Sequence, residues 1–214
     1  MIKSTFGTIT AGRQRIREFI ISAKNLDPNF RVIDIGGIAG GGWTSDIADV
    51  IIDINAPFTD SRFINADICN ESHWNFILKK FDVEKFDYAI CSHTLEDVYN
   101  PYTALALLPR IAKAGIISMP SAYTELSRIE NAGWLGHIHH RYIFHPLNHK
   151  IHVIPKINAL EFLVPNGLIF KKSFEEVRFE WFSDLEYSLF MNNYLGPSVE
   201  HVIHEYKNFI QELI

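Results

Sequence analysis

Cysteine is nearly absent from this chain: Cys69 and Cys91 are the only two in 214 residues. With so few, no disulfide framework is implied, and a reducing compartment fits. Long hydrophobic runs are missing as well. No stretch approaches the ~20 consecutive apolar residues that span a bilayer. The opening residues, Met1-Ile2-Lys3-Ser4-Thr5-Phe6, lack the apolar run and small-residue cleavage site of a secretory signal. Nor does charge of one sign dominate. A formal charge of −5 gives no reason to expect sequence-independent binding to a phosphate backbone, although a local basic patch is compatible with that total. The expectation is a soluble, cytoplasmic protein with neither a membrane nor a nucleic-acid partner.

What is present is a chain long enough for one well-buried core and too short for two generous domains. Residues 1–214 read as a single domain, with 1–120 as a first half and 121–214 completing the sheet. Ile9 to Lys24 carries Ile9, Ile16, Phe19, Ile20 and Ala23 near one helical face, and Asp27-Pro28-Asn29 breaks it. Short, nearly uniform apolar runs follow at 31–35, 50–53, 62–64, 87–91 and 115–119. Asn100-Pro101 suits a helix start, with Asn as N-cap and Pro at the first helical position. Leu105, Leu108 and Ile111 form its apolar stripe. Apolar strands separated by helix-length segments predict an α/β fold, a mostly parallel central sheet covered by helices on both faces. In the less regular last third, 150–154 and 176–181 read as strands, and a helix runs from Pro197 to the end. That long helix offers a surface for a homodimer, though nothing demands one.

In an open α/β sheet, ligands bind beyond the carboxyl ends of the strands, where strand order reverses. The first strand end reads Asp34-Ile35-Gly36-Gly37-Ile38-Ala39-Gly40-Gly41-Gly42. Glycines there let the backbone approach a bulky ligand, and their amides can face it. The second strand ends in Asp53, placed to accept hydrogen bonds from ribose hydroxyls, and the third leads to Asp67, able to accept from an adenine amine. These are the needs of an adenosine ligand. Each residue also has a plainer reading: a tight turn for the glycines, a solvated strand end for Asp53, an N-cap or Asx-turn for Asp67.

The segment Phe86-Asp87-Tyr88-Ala89-Ile90-Cys91-Ser92-His93-Thr94-Leu95-Glu96-Asp97-Val98, then Asn100-Pro101, then Leu107 to Gly115, resembles the class I S-adenosylmethionine-dependent methyltransferases, in particular their small-molecule, type 11-like branch. Val32 to Gly37 is similar to that family's first motif and Ile51-Ile52-Asp53-Ile54 to its second, so the likeness covers 31 to about 120. It implies a Rossmann-like methyltransferase fold with S-adenosylmethionine as cofactor. By position, Asp34 belongs to the first motif, Gly36, Gly37 and Gly40 would line the methionine and ribose, and Asp53 would bind the ribose. Asp67 and Ile68 would flank the adenine, and Cys91, Ser92 and His93 would lie beneath the sulfonium. Glu96 is read as anchoring the following helix. Ile38 stands where the family's middle glycine is usual, the short span 34–53 makes the first helix brief, and 60–65 leaves little room for a helix between the second and third strands.

A second distinctive segment, Pro120 to Arg128 followed by Gly136-His137-Ile138-His139-His140-Arg141-Tyr142, begins where the fifth strand ends and should roof the acceptor side. His139 or His140 is read as a general base, with Glu125 or Arg141 orienting it or the substrate. The competing reading is that these histidines cap loops. No metal is expected: adjacent histidines point in different directions, and neither Cys nor a close carboxylate completes a set.

The expected function is methyl transfer to an oxygen or nitrogen of a small polar acceptor, a sugar or glycan precursor being one such class. A non-catalytic protein keeping the fold with an altered cofactor loop is the principal alternative. A nicotinamide-dependent oxidoreductase is disfavoured because Ile38 breaks G-x-G-x-x-G, and a metal hydrolase would need an ion at the histidines.

Overall fold

The computed structural model describes residues 2–37, 42–56, 61–81, 84–129, 133–188, 190 and 199–213. The chain opens with strand β1 (Lys3–Gly7) and helix α1 (Ile9–Leu26). There follow β2 (Val32–Ile35), β3 (Val50–Asp53), β4 (Phe63–Asn65), α2 (Glu71–Lys80), β5 (Phe86–Ser92), α3 (Pro101–Ile111) and β6 (Ala112–Pro120). The second half contributes α4 (Ala122–Glu125), β7 (Tyr142–Leu147), β8 (Lys150–Pro155), α5 (Ala159–Leu163), β9 (Glu176–Phe182), β10 (Tyr187–Ser188) and α6 (Val199–Leu213).

Seven strands form the main sheet in the order β1-β9-β6-β5-β2-β3-β4. Strands β2 to β6 are mutually parallel, whereas β9 runs antiparallel to both of its neighbours, β6 and β1. Strand alternation assigns the two faces. Ile33 and Ile35 of β2 join the cluster holding Trp74, Ile77, Leu105 and Leu108 from α2 and α3. Val32, Ile90 and Ile116 point the other way and meet Ile16 and Ile20 of α1. A strand buried on both faces is apolar at nearly every position, which is why β2 and β3 read as short, nearly uniform apolar runs, with Asp34 the buried exception in β2. The result is a mostly parallel, helix-covered sheet with the Rossmann-like topology of class I S-adenosylmethionine methyltransferases.

Helix starts follow local chemistry. Thr8, Asn70 and Asn100 each accept a backbone N–H of the first turn, at Ala11, Ser72 and Tyr102, and so cap α1, α2 and α3. Pro101 occupies the first turn of α3, where its missing N–H costs nothing. Between β2 and β3, where a brief helix is expected, the described residues form a turn over 43–47.

The second sheet, β10-β8-β7, lies between the main core and α6. Phe144, Ile151 and Val153 face the large cluster, whereas Ile143 and Ile154 face Val202, Tyr206, Phe209 and Ile210 of α6. Pro197, the expected start of that last helix, lies outside the described residues; α6 itself is described from Val199.

Candidate functional site

Strand β2 is the point of reversal, with β3 on one side and β5 on the other. Its chain leaves the sheet at Gly36, which has φ +82 and donates its N–H to the Ile52 carbonyl at 2.7 Å. That left-handed conformation favours glycine, and a Cβ at this position would overlap the Thr94 side chain. Beyond it lies a cleft of about 190 Å³. Gly36, Ile52, Asp53, Ile54, Ala66, Asp67, Ile68, His93, Thr94, Asp97 and Val98 line it. Apolar side chains and three carboxylates face the space, and its described lining contains neither Lys nor Arg.

Of the ten expected cofactor residues, the cleft brings together Gly36, Asp53, Asp67, Ile68 and His93. Asp53 ends β3 and accepts the Asn55 N–H at 2.6 Å. Asp67 accepts the Cys69 N–H at 2.8 Å, an Asx-turn, and the Tyr99 hydroxyl lies 3.4 Å from its second oxygen. Ile68 is buried, and its carbonyl accepts the Trp74 indole N–H at 2.8 Å.

Asp34, Gly37, Cys91 and Ser92 are not among the lining residues. Asp34 sits under the turn, 3 % exposed, and accepts the Thr44 hydroxyl. Burial pushes its carboxyl up to about 6, the Thr44 bond opposing this and the Asp53 charge adding to it. A Cβ on Gly37 would overlap the Asp34 carboxylate, so the second glycine makes room for this buried acid. Cys91 packs in the large core cluster, where burial pushes its thiol well up. Ser92 accepts the Ser118 hydroxyl at 3.0 Å. Gly40 lies outside the described residues, as does Ile38.

His93 also lines the cleft. It adopts φ +51, unusual for a side-chain-bearing residue, and its N–H donates to the Ser118 carbonyl at 2.8 Å. Its ring nitrogens face two buried acids: Nε2 is 2.9 Å from Glu176 and Nδ1 is 3.6 Å from Glu96. Burial, helped by the charges of Asp97 and Glu125, pushes the Glu96 carboxyl well above its ordinary range. Glu176 arrives from β9, 83 residues away in sequence, so local pattern gives no sign of it.

The roofing segment is anchored to this end of the sheet. Arg141 donates its backbone N–H to the Glu96 carbonyl at 2.7 Å and its Nε–H to the Asp97 carbonyl at 3.1 Å. Within the segment, Glu125 is 1 % exposed and lies between two cationic or polar partners: His140 Nδ1 at 2.8 Å and Lys156 Nζ at 2.6 Å. Burial alone would raise the Glu125 carboxyl; the His140 hydrogen bond and the Lys156 charge outweigh it and hold it below the usual range. An ionised Glu125 must accept, so His140 donates from Nδ1 and presents Nε2 outward when neutral.

His140 Nε2 lies 3.6 Å and His139 Nε2 3.8 Å from the same Asp97 oxygen. Asp97 therefore joins the cleft to the histidine segment, and it supplies the close carboxylate that chain spacing does not reveal. Thr94, Asp97, Lys156 and Glu176 are the site residues without a distinct sequence signal.

No protein-family model matches the chain, and no curated protein is similar to it at a significant level.

Proposed function

We propose that the protein transfers a methyl group from S-adenosylmethionine to an oxygen or nitrogen of a small polar acceptor, a sugar or glycan precursor being one such class. The observation carrying this reading is the lining of the cleft: three carboxylates, apolar walls and no described Lys or Arg. A dinucleotide brings a pyrophosphate, which such a lining repels. S-adenosylmethionine instead brings a sulfonium and an ammonium, which it attracts. In this reading Asp53 accepts from the ribose diol, Ile52, Ile54, Ile68 and Val98 bed the adenine, and Gly36 admits the ligand backbone-close. The bound cofactor supplies an electrophilic methyl group.

The chain's own work is alignment, water exclusion and proton acceptance. His140 Nε2, oriented through Nδ1 by Glu125, takes the proton of the acceptor hydroxyl or amine. Lys156 keeps Glu125 ionised, and Arg141 ties the roof to the cleft by its bond to the Asp97 carbonyl. Both halves act as one domain in this reading, because the cofactor side and the acceptor side meet at Asp97. The principal alternative, a non-catalytic protein with this fold, draws on the Asp67 oxygens already being engaged by Cys69 and Tyr99.

Thermal unfolding with S-adenosylhomocysteine tests the assignment. A ligand present at about 100 times its Kd stabilises the native state by about 2.7 kcal/mol, a rise of roughly 5–10 °C for a chain of this size. Asp53→Ala should lose most of that rise while unfolding near the parent temperature without ligand. No rise in the parent protein, or an equal rise in the variant, would overturn the site assignment.

A further inference from the structure

We propose that Asp97, His139 and His140 form a binding site for one divalent transition-metal ion of the zinc class, at the rim between the cleft and the roofing segment. One ligand atom from each lies within 4.8 Å of the others, the one such group among the described residues. Two imidazoles and one carboxylate suit zinc and its neighbours, leaving coordination positions for water or substrate. Ligands at zinc-bonding distance sit about 3.3 Å apart in a tetrahedral site. Both histidine nitrogens are already 3.6–3.8 Å from the shared Asp97 oxygen. The His139 side chain is 62 % exposed, so its ring has room to turn toward that spacing.

Three further features favour a cation. His140 is held by its other nitrogen against Glu125, the carboxylate-to-histidine arrangement that orients metal ligands and raises their basicity. Lys156 pairs with Glu125, so Glu125 stays an acceptor and His140 Nε2 stays a lone pair. Asp53 and Asp67, which line the same cleft as Asp97, add negative character.

Positions left open would be available to an acceptor hydroxyl at the cleft rim, where Asp97 lies. Coordination lowers the pKa of such a hydroxyl, and its proton leaves to solvent. With an ion bound, Nε2 of His140 is a ligand and the ion takes over activation of the acceptor. Metal binding itself does not depend on which organic cofactor fills the cleft, so the two assignments can fail separately.

The test uses the full chain without a polyhistidine tag, freed of metal by a chelator. Zinc is titrated calorimetrically, and cobalt(II) by visible absorption. The expected result is one ion per chain, with the strong visible bands of four- or five-coordinate cobalt. His139→Ala, an exposed change, and Asp97→Asn should each weaken binding at least tenfold with an unchanged circular dichroism spectrum, and Glu125→Gln by roughly 10–100-fold. Absence of stoichiometric binding would overturn the proposal. So would binding that His139→Ala and Asp97→Asn leave unchanged, since the ion would then sit at other histidines.

Discussion

Glu125 and His140, fifteen residues apart in sequence, meet at 2.8 Å in a buried contact that fixes which imidazole nitrogen faces outward. A carboxylate kept ionised by Lys156 can only accept, so the shared proton belongs to Nδ1. Long-range ¹H–¹⁵N spectra at pH 8 should show the Nδ1–H form for His140. Glu125→Gln should release that preference, and an Nε2–H form in the parent protein would contradict the orientation argued here.

The same contact sets a pH dependence. The folded pKa of Glu125 lies below its unfolded value, so its contribution to stability is fully present above the unfolded value. It is lost as pH falls through the folded value. Lys156→Met leaves the buried acid with one partner fewer and should cost about 3 kcal/mol near pH 7, read from denaturant midpoints. A cost below 1 kcal/mol would show that the pair is not energetically coupled.

Asp34 acts with the opposite sign. Its folded pKa of about 6 lies above its ordinary 3.8, so the folded state holds the proton more tightly. Stability from this group is present at low pH and lost as pH rises from about 4 to 6, by on the order of 3 kcal/mol. Asp34→Asn retains an acceptor for the Thr44 hydroxyl and should flatten that part of the profile while raising stability at pH 7. An unchanged profile would show that Asp34 is hydrated rather than buried.

Gly36 offers a steric test. Gly36→Ala adds a Cβ at φ +82 against Thr94 and should cost about 1–3 kcal/mol. Thr94→Ala in the same chain should restore only the part due to the threonine branches. Full tolerance of Gly36→Ala would mean that the strand exit does not hold this conformation.

Much of the sheet is legible in the sequence because strands buried on both faces carry one signal, a nearly uniform apolar run. The Asn100-Pro101 start of α3 is equally plain. β1 is not, because Lys3-Ser4-Thr5-Phe6-Gly7 forms an edge, its first two residues exposed, and has no face to pattern. Of the β7–β8 hairpin only β8 is legible as a strand, and β7 and the turn hide for another reason. Its turn residues Asn148 and His149 both adopt positive φ, which sequence signals most clearly when the second is glycine. At the site, Gly36 and Asp53 are readable as strand-end residues. Asp97 and Glu176 acquire meaning only when distant segments meet, and Cys91 looks site-like in sequence yet turns into the core.

Calorimetric titration of the purified protein with S-adenosylmethionine and S-adenosylhomocysteine, with NAD as control, tests the central claim most directly. The account predicts micromolar, one-to-one binding of the first two and none of NAD. Binding of NAD alone, or of no ligand at all, would contradict it.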